Sequence, residues 1–463
     1  MTGLTLALAQ YVANPAFGND EEAACAVAKA GFIDTTGTMF AGCDEPVVQI
    51  MTRHTAAAGG MPEAPVPFAG LMLTSAQAAC INAVAAHALD YDDVALSAHT
   101  STVLVPAILA EGHLLGISGR EALRAYVVGY EVWAELFTRE SDQYHLKGWH
   151  PTGVFGAVAA AAAIAYLRRL PVEQARGALT LAASMASGLV SNFGTMAKPM
   201  HAGRAAACAI EAVRLTMLGL TSAPDVFEHP AGYLTAISPA GRVDRTRPAS
   251  GLGGKPRLLD FGLSIKRYPV CYSGHRIIDG ALAIATQHNL QPADIRRVQL
   301  TIGIAQASML RNHRPVTGLE AKFSAEFDIA AAIAVRQVGL AQLSDAFVAR
   351  DDVRGLMEKI DIATTDKICP IDPAFGLSDR VVIETIDGRI FDSGEIRFAL
   401  GNAMNPIGAA DLRAKFMDCV ATGEHATAGR ITPVCAGLYE RLENLDNLAS
   451  VRALYGNMRT SPQ

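Results

Sequence analysis

The side chains best suited to move a proton or neutralise a carboxylate fall in four short strings of the 463-residue sequence. The first runs His87-Ala88-Leu89-Asp90-Tyr91-Asp92-Asp93 and resumes at Ser97-Ala98-His99-Thr100-Ser101. Carboxylates packed this closely at the end of an apolar helix are costly unless they are solvated, paired or hydrogen-bonded. Taken alone, the string reads first as a solvated helix end. The second string is Gly148-Trp149-His150-Pro151-Thr152-Gly153-Val154-Phe155-Gly156. Pro151 pushes His150 towards extended geometry and suits the first position of a helix, so the imidazole is expected at a helix N-terminus, where an anion is welcome. A histidine in such a turn is more often structural, and this string by itself does not decide.

The third string, Gly194-Thr195-Met196-Ala197-Lys198-Pro199-Met200-His201-Ala202-Gly203-Arg204, is the most informative. With Pro199 opening a helix, Lys198 is expected at its cap, and His201 and Arg204 follow at three-residue steps, within about 120° around the axis. Free backbone N–H groups, the positive end of the helix dipole and these cations would then converge on one volume suited to a carboxylate. A solvent-facing basic helix start fits poorly with the small apolar residues around it. The fourth string, Lys266-Arg267-Tyr268-Pro269-Val270-Cys271-Tyr272-Ser273-Gly274-His275, leads into another helix and reads equally well as a polar surface turn. A cleft between domains would bring Lys198 and Lys266 to one substrate, and domain interfaces are favoured ligand sites.

The elements that must position these strings follow from composition and periodicity. Half the residues are hydrophobic and only 6% aromatic, with Ala, Leu, Ile and Val carrying the apolar content, which favours close-packed helices. The length exceeds what one core usually serves, so two domains are expected. From Leu4 to about Leu220 one helical pattern follows another. Ser118 and Glu121 form a capping-box signature before the run Ala122 to Leu136, whose Leu123, Val127, Tyr130 and Ala134 recur at helical spacing. Ser238 to Pro256 is rich in Gly, Pro, Ser and Arg, lacks apolar periodicity and reads as a linker. Beyond it come a helix (about 273–288), a strand (296–304), a helix (about 321–338) and an alternating segment around Asp387-Gly388, a two-residue hairpin signal. Helices return near Ala409 to Val420 and Ala436 to Leu445. The expected division is a helical domain of residues 1–255 with 401–463, and an α+β domain of 256–400.

Several function classes are set aside by the same reading. The net charge is -6 and the 39 basic residues form no Lys/Arg block, so nucleic acid is not an expected partner. The eight cysteines are scattered without a C-x-x-C pair, against both a zinc site and a disulfide framework. Met1-Thr2-Gly3-Leu4 lacks the features of a signal peptide, and the most apolar run, Val154 to Leu167, is shorter than the ~20 residues of a membrane span. A soluble, cytoplasmic protein without membrane partners is expected.

In combination, the strings H-A-x-D-[YF]-D-D, G-[WF]-H-P-T-G and K-P-x-H-x-G-[RN]-A resemble the MmgE/PrpD family, and Asn405-Pro406 with Leu412-Arg413-Ala414-Lys415-Phe416 carries the resemblance into the last helices. The resemblance implies a mainly α fold with a large all-helical domain and a smaller α+β lid, a homodimer, and neither metal nor other cofactor. It places Asp90, His99, His150, Lys198 and Lys266 as catalytic residues with His201 and His275 beside them, and the third and fourth strings add Arg204 and Tyr272 as expected binders of a small di- or tricarboxylic acid. Members of the family dehydrate 2-methylcitrate, decarboxylate cis-aconitate or epimerise iminodisuccinate. Two departures stand out: Val94 occupies a position where dehydratase and decarboxylase relatives commonly have Thr, and Phe327 one where relatives often have Tyr.

These activities share a first step, the development of negative charge on a carbon beside a carboxylate. Lysines, arginine and helix N-termini can stabilise that charge without metal, and a histidine suits the proton transfer. His99 and His150 are the expected acid and base, with Asp90 orienting an imidazole. The loss of two hydroxyls hurts dehydration and decarboxylation more than epimerisation, so epimerisation is slightly favoured. The alternatives are a dehydratase of a hydroxy-tricarboxylate, a decarboxylase of cis-aconitate, and a carboxylate-binding protein without turnover.

Overall fold

The structure is a computed structural model that describes residues 3–371 and 374–456. The chain forms two compact units, residues 1–263 with 408–463 and residues 264–407. The first unit is helical. Its longer elements are α1 (Leu4–Ala13), α2 (Glu21–Ala41), α3 (Pro46–Ala58), α4 (Ser75–His87), α5 (Ser101–Leu115), α6 (Gly119–Phe137), α7 (Pro151–Leu167), α8 (Val172–Met185) and α9 (Ala197–Met217). They are joined after the second unit by the helix Ala409–Ala426 and by short turns of helix such as Leu438–Glu443. A small antiparallel pair, β1 (Ala64–Val66) with β2 (Leu71–Leu73), interrupts the helices around a turn at Pro67–Ala69.

The helix signals act locally as their chemistry dictates. The Ser118 hydroxyl accepts from the Glu121 backbone while the Glu121 carboxylate accepts from the Ser118 N–H, completing the capping box of α6. Thr74 and Gln77 do the same for α4. The Ala-rich α7 is buried at every position from Pro151 to Ala165, because it is surrounded by α5, α6, α8 and α9. Small side chains let these backbones approach. A Cβ on Gly203 of α9 would stand 2.7 Å from the Cys80 carbonyl oxygen and 2.6 Å from Val84 Cγ2, both on α4. Ser238 to Pro256 is not a free linker. Asp244 donates its N–H to the Arg139 carbonyl, the Arg139 guanidinium donates to the Asp244 and Arg247 carbonyls, and Ser238 bonds to Glu140, so Arg139 and Glu140 strap the segment to the end of α6.

The second unit is α+β. A four-stranded sheet runs in the order β4 (Ile360–Thr365), β3 (Ile295–Gly303), β5 (Arg380–Thr385), β6 (Ile390–Asp392), with β3–β4 parallel and the other pairs antiparallel. Val298, Leu300 and Ile302 of β3 join Val381 and Ile383 of β5 in a core with Ile277, Ile278 and Ala281 of the helix His275–Gln287 and Ile329 and Ile333 of the helix Ala325–Val335. The Asp387-Gly388 turn is one residue longer than its sequence signal. Thr385 N–H donates to the Arg389 carbonyl and Gly388 N–H to the Thr385 carbonyl, closing a loop of Ile386, Asp387 and Gly388. Gly388, at φ 86°, takes the left-handed position that ends such a loop.

Because Gly203 sets the approach of α9 to α4, Gly203→Ala is expected to destabilise the protein by roughly 1–3 kcal/mol through overpacking. Reversible denaturant unfolding measures this; a variant as stable as the parent would show that these helices do not pack at this distance.

Candidate functional site

Three of the four strings meet in the first unit. The string at the end of α4 is buried: Asp90 is 5% exposed, and Asp92 and Asp93 are fully enclosed. The solvated helix end expected for it is therefore excluded. After His87 the chain turns sharply, with Asp90 at φ 54°, Leu96 and Ser97 both at φ 52°, and Ala95 bridged to Ala98. A left-handed conformation at non-glycine residues is strained, most tolerable at Asp, and persists only where the surroundings enforce it. The return brings the His99 N–H to the Thr152 hydroxyl in the first turn of α7, at 3.1 Å.

The second string holds its expected place. His150 is the N-cap of α7 at φ -84° and ψ 108°, with Pro151 as the first helical residue. Its N–H donates to the Gly188 carbonyl, and Val190 N–H donates to the Gly148 carbonyl. Gly153 is required by this contact, since a Cβ there would lie 2.1 Å from the Ser187 carbonyl oxygen. The third string starts a helix earlier than its proline: α9 begins at Ala197 with Met196 as N-cap, so Lys198 stands in the first turn rather than at the cap.

The side chains form a connected row. Lys198 Nζ donates to Asp90 Oδ1 at 2.8 Å, and His99 Nε2 lies 3.4 Å from the same oxygen. On the other edge of that ring, His99 Nδ1 lies 3.0 Å from Asp92 Oδ2, while Asp92 Oδ1 lies 3.0 Å from His87 Nδ1. One carboxylate thus engages two imidazoles, whose ring centroids are 4.3 Å apart. Beside the row, His150 Nδ1 meets His201 Nδ1 at 3.1 Å, and the His150 ring stands 6.0 Å from that of His87. The Phe193 ring closes this side, with Lys198 Nζ 5.2 Å from its centroid and the His150 ring 4.8 Å away.

Burial and charge sort the protons. Burial alone would raise the Asp92 carboxyl, but the two imidazoles and their hydrogen bonds hold it well below the usual carboxylate range. Burial, followed by Lys198 and the neighbouring rings, holds His150 well below its ordinary value, so it is neutral near pH 7. Burial, with His87 and Lys198, lowers His201 to about 4. Donor atoms of His87, Asp90, Asp92 and His99 lie within 4.8 Å of one another, a set that could hold a divalent cation. In the arrangement present, Asp92 is engaged by two imidazole edges and Asp90 Oδ1 by the Lys198 ammonium.

Asp90, His99, His150, Lys198 and His201 are therefore together. Arg204 is not: its side chain is exposed and its guanidinium lies 3.5 Å from Cys208 Sγ. Both Asp90 and Asp92 lie against the His99 ring, one at each nitrogen, and neither Asp92 nor His87 is marked out by the sequence as a site residue, although both lie in the first string. Lys266, Tyr272 and His275 belong to the second unit. Lys266 is 1% exposed, the Tyr272 hydroxyl accepts from the Asn402 amide at 2.9 Å, and the enclosed His275 ring stands 4.9 Å from that of Tyr272 and 5.1 Å from that of Tyr268. Phe327 is fully buried in the core of the same unit. Val94 is half-buried on the turn of the first string. Among the described residues no helix is long and apolar enough to cross a membrane.

Comparison with known proteins agrees with the resemblance in the motifs. The family model of the MmgE/PrpD N-terminal domain matches residues 6–246, and that of the MmgE/PrpD C-terminal domain matches residues 268–432. A cis-aconitate decarboxylase of Homo sapiens is 28% identical over 411 residues, covering 84% of this chain and 82% of that protein. The Mus musculus protein of the same name is also 28% identical, over 84% of this chain and 80% of its own length. A cis-aconitate decarboxylase of Aspergillus terreus is 26% identical over 63% of this chain and 64% of its own.

The low value of His201 makes a stability prediction. Below its ordinary value of about 6.5 the unfolded chain takes up a proton that the folded chain refuses until about pH 4. Stability is thus lost as pH falls through that window. Denaturant unfolding at a series of pH values should show a shallower fall for His201→Gln than for the parent; equal slopes would mean that His201 is not held neutral.

Proposed function

This chain belongs to the MmgE/PrpD family, and from that premise we propose that it is a lyase that decarboxylates cis-aconitate or a closely similar unsaturated tricarboxylate. The observation that carries the reading is the buried row in which a cation, Lys198, is tied through Asp90 to a carboxylate-braced imidazole, His99. The names of relatives aligned over 84% of this chain favour decarboxylation among the reactions such a row can serve. The preference for epimerisation rested on two missing hydroxyls. Phe327 is sealed in a core, so its ring says little about the reaction, and only Val94 remains as support for that reading.

In the proposed reaction, CO₂ leaves from the carboxylate on the saturated carbon. The electron pair of the broken bond forms a new double bond, and the pair of the old one moves to the carbon at its far end, where the attached carboxylate spreads the charge. One proton then adds to that carbon, so the reaction consumes one proton and releases one CO₂. The Lys198 ammonium is placed to neutralise the developing charge in a site screened from water, where such an interaction is strongest. His99 is the proton donor, its ring steadied through Nδ1 by Asp92. His150, held neutral and bonded to His201, binds a substrate carboxyl without competing for that proton. We extend the proposal to the second unit on the strength of the motif: Lys266 supplies a second cation, and Tyr272 and His275 contact substrate.

The deciding experiment follows cis-aconitate, 2-methylcitrate and iminodisuccinate by NMR in D₂O. Release of CO₂ from cis-aconitate with one deuterium on carbon in the product is expected. Deuterated stereoisomers without CO₂ would instead identify an epimerase, and an alkene from a hydroxy acid a dehydratase. Thermal stabilisation by a substrate without turnover would identify a binding protein.

Lys198→Ala and Lys266→Ala should each lower kcat by ~2 kcal/mol or more in transition-state stabilisation, because the charge they offset grows during reaction. Normal kcat with a raised KM would reduce that lysine to ground-state binding.

A further inference from the structure

The row of polar residues is held from behind by a residue far along the chain. Lys415, on the helix Ala409–Ala426, is buried, and its ammonium lies 2.6 Å from Asp34 Oδ1 of α2. The same ammonium donates to the Tyr91 carbonyl at 2.7 Å and stands 4.1 Å from the centroid of the Tyr91 ring. Tyr91 separates Asp90, which holds Lys198, from Asp92, which engages His87 and His99. Lys415 therefore grips the peptide between the two carboxylates that organise the site, at a turn whose Asp90 is left-handed. Such a conformation needs outside support.

The surroundings make this ammonium hard to replace. Asp34, Asp92 and Asp93 are buried within one region of the unit. Burial raises Asp34 while Lys415 opposes the rise. Burial, then the nearby Asp34, raises Asp93 well above the usual carboxylate range, with Ser101 acting the other way. Ser101 in turn meets the Tyr126 hydroxyl at 2.6 Å. Lys415 is the ammonium that opposes the rise at both rear carboxyls.

We propose that Lys415 is a positioning residue for the reaction: by holding the Tyr91 carbonyl it fixes the turn from Asp90 to Asp92, and so the placement of His99 relative to Lys198. The proposal rests on the lyase reading for its kinetic test and has a second readout that does not. Lys415→Met leaves Asp34 unpaired and lowers the melting temperature, as any loss of a buried partner would. The double variant Asp34→Asn/Lys415→Met removes both charges together and regains that stability while the Tyr91 carbonyl still lacks its donor.

With cis-aconitate, the double variant is expected to show kcat reduced between about 10- and 100-fold with KM little changed, the size of loss that a small misplacement of reacting groups produces. A double variant with the parent's kcat would overturn the proposal and leave Lys415 as a neutraliser of Asp34. The independent readout is the ¹⁵N spectrum of the histidine rings without substrate. The His87 and His99 signals should move in the folded double variant, and unchanged signals would overturn the proposal equally. Should the parent protein show neither CO₂ release nor deuterium incorporation, the lyase reading falls, and the ring spectra still decide the role of Lys415.

Discussion

Everything distinctive in the first unit is arranged around one buried carboxylate engaged by two imidazoles. Asp92 is fully enclosed, and an isolated ionised carboxylate in such a place would be driven to protonate. It is held well below the usual carboxylate range because two imidazoles, His87 and His99, lie against its oxygens. That requirement dictates the local chain path. His87 must end α4, the backbone must double back through left-handed Asp90, Leu96 and Ser97, and His99 must arrive at the start of α5 with its N–H on Thr152. The strain in the turn is thereby tied to the one pairing that a buried acid cannot do without.

The helices around this centre are built from residues with little to lose by close approach. Gly153 and Gly203 stand where any side chain would meet a carbonyl of a neighbouring segment, and both lie inside strings whose polar members line the site. The glycines and the ionisable residues of these strings are parts of one device. Lys198 reaches Asp90 because α9 lies against α4, and His150 reaches His201 because α7 and α9 touch. Alanine supplies the remaining interface, which keeps the region dry and the charge interactions strong.

Much of this is legible in the sequence, and what is not has identifiable causes. His150 at the start of α7 follows from Pro151, and the capping box of α6 from Ser118 and Glu121, since each signal acts within one turn. Lys198 and His201 are neighbours as their spacing implies, but Arg204 is not part of the group. At 100° per residue, Lys198 and Arg204 are about 120° apart on the helix, roughly the full width of a buried stripe, and spacing alone does not say which edge is inside. His87 and Asp92 escape a reading by pattern because five residues across a helix end fit neither helical nor strand periodicity. Ser238 to Pro256 has the composition of a linker, yet Arg139 and Glu140, with Lys147, Asp142, Glu228 and Thr138, hold it by hydrogen bonds. Lys415 lies 324 residues from Tyr91, and no local pattern signals a contact over that distance.

Asp92 and Asp93 show how finely the partners, rather than the burial, decide the chemistry. The two are consecutive and equally enclosed, so the cost of taking either charge out of water is similar. Asp92 faces two imidazoles and is held as an anion. Asp93 has no such partner among the described residues, and burial with the like charge of Asp34 pushes its carboxyl well above the usual range. Were both ionised, each would add a buried negative charge to those of Asp34 and Asp90, against the single ammonium of Lys415 behind and that of Lys198 in front. With Asp93 pushed towards its neutral form, Asp34 pairs with Lys415 and Asp90 with Lys198. The Asp92 carboxylate meets the His99 ring at Nδ1, while Asp90, which holds Lys198, meets it at Nε2, so the two acids flank one ring from its two nitrogen edges.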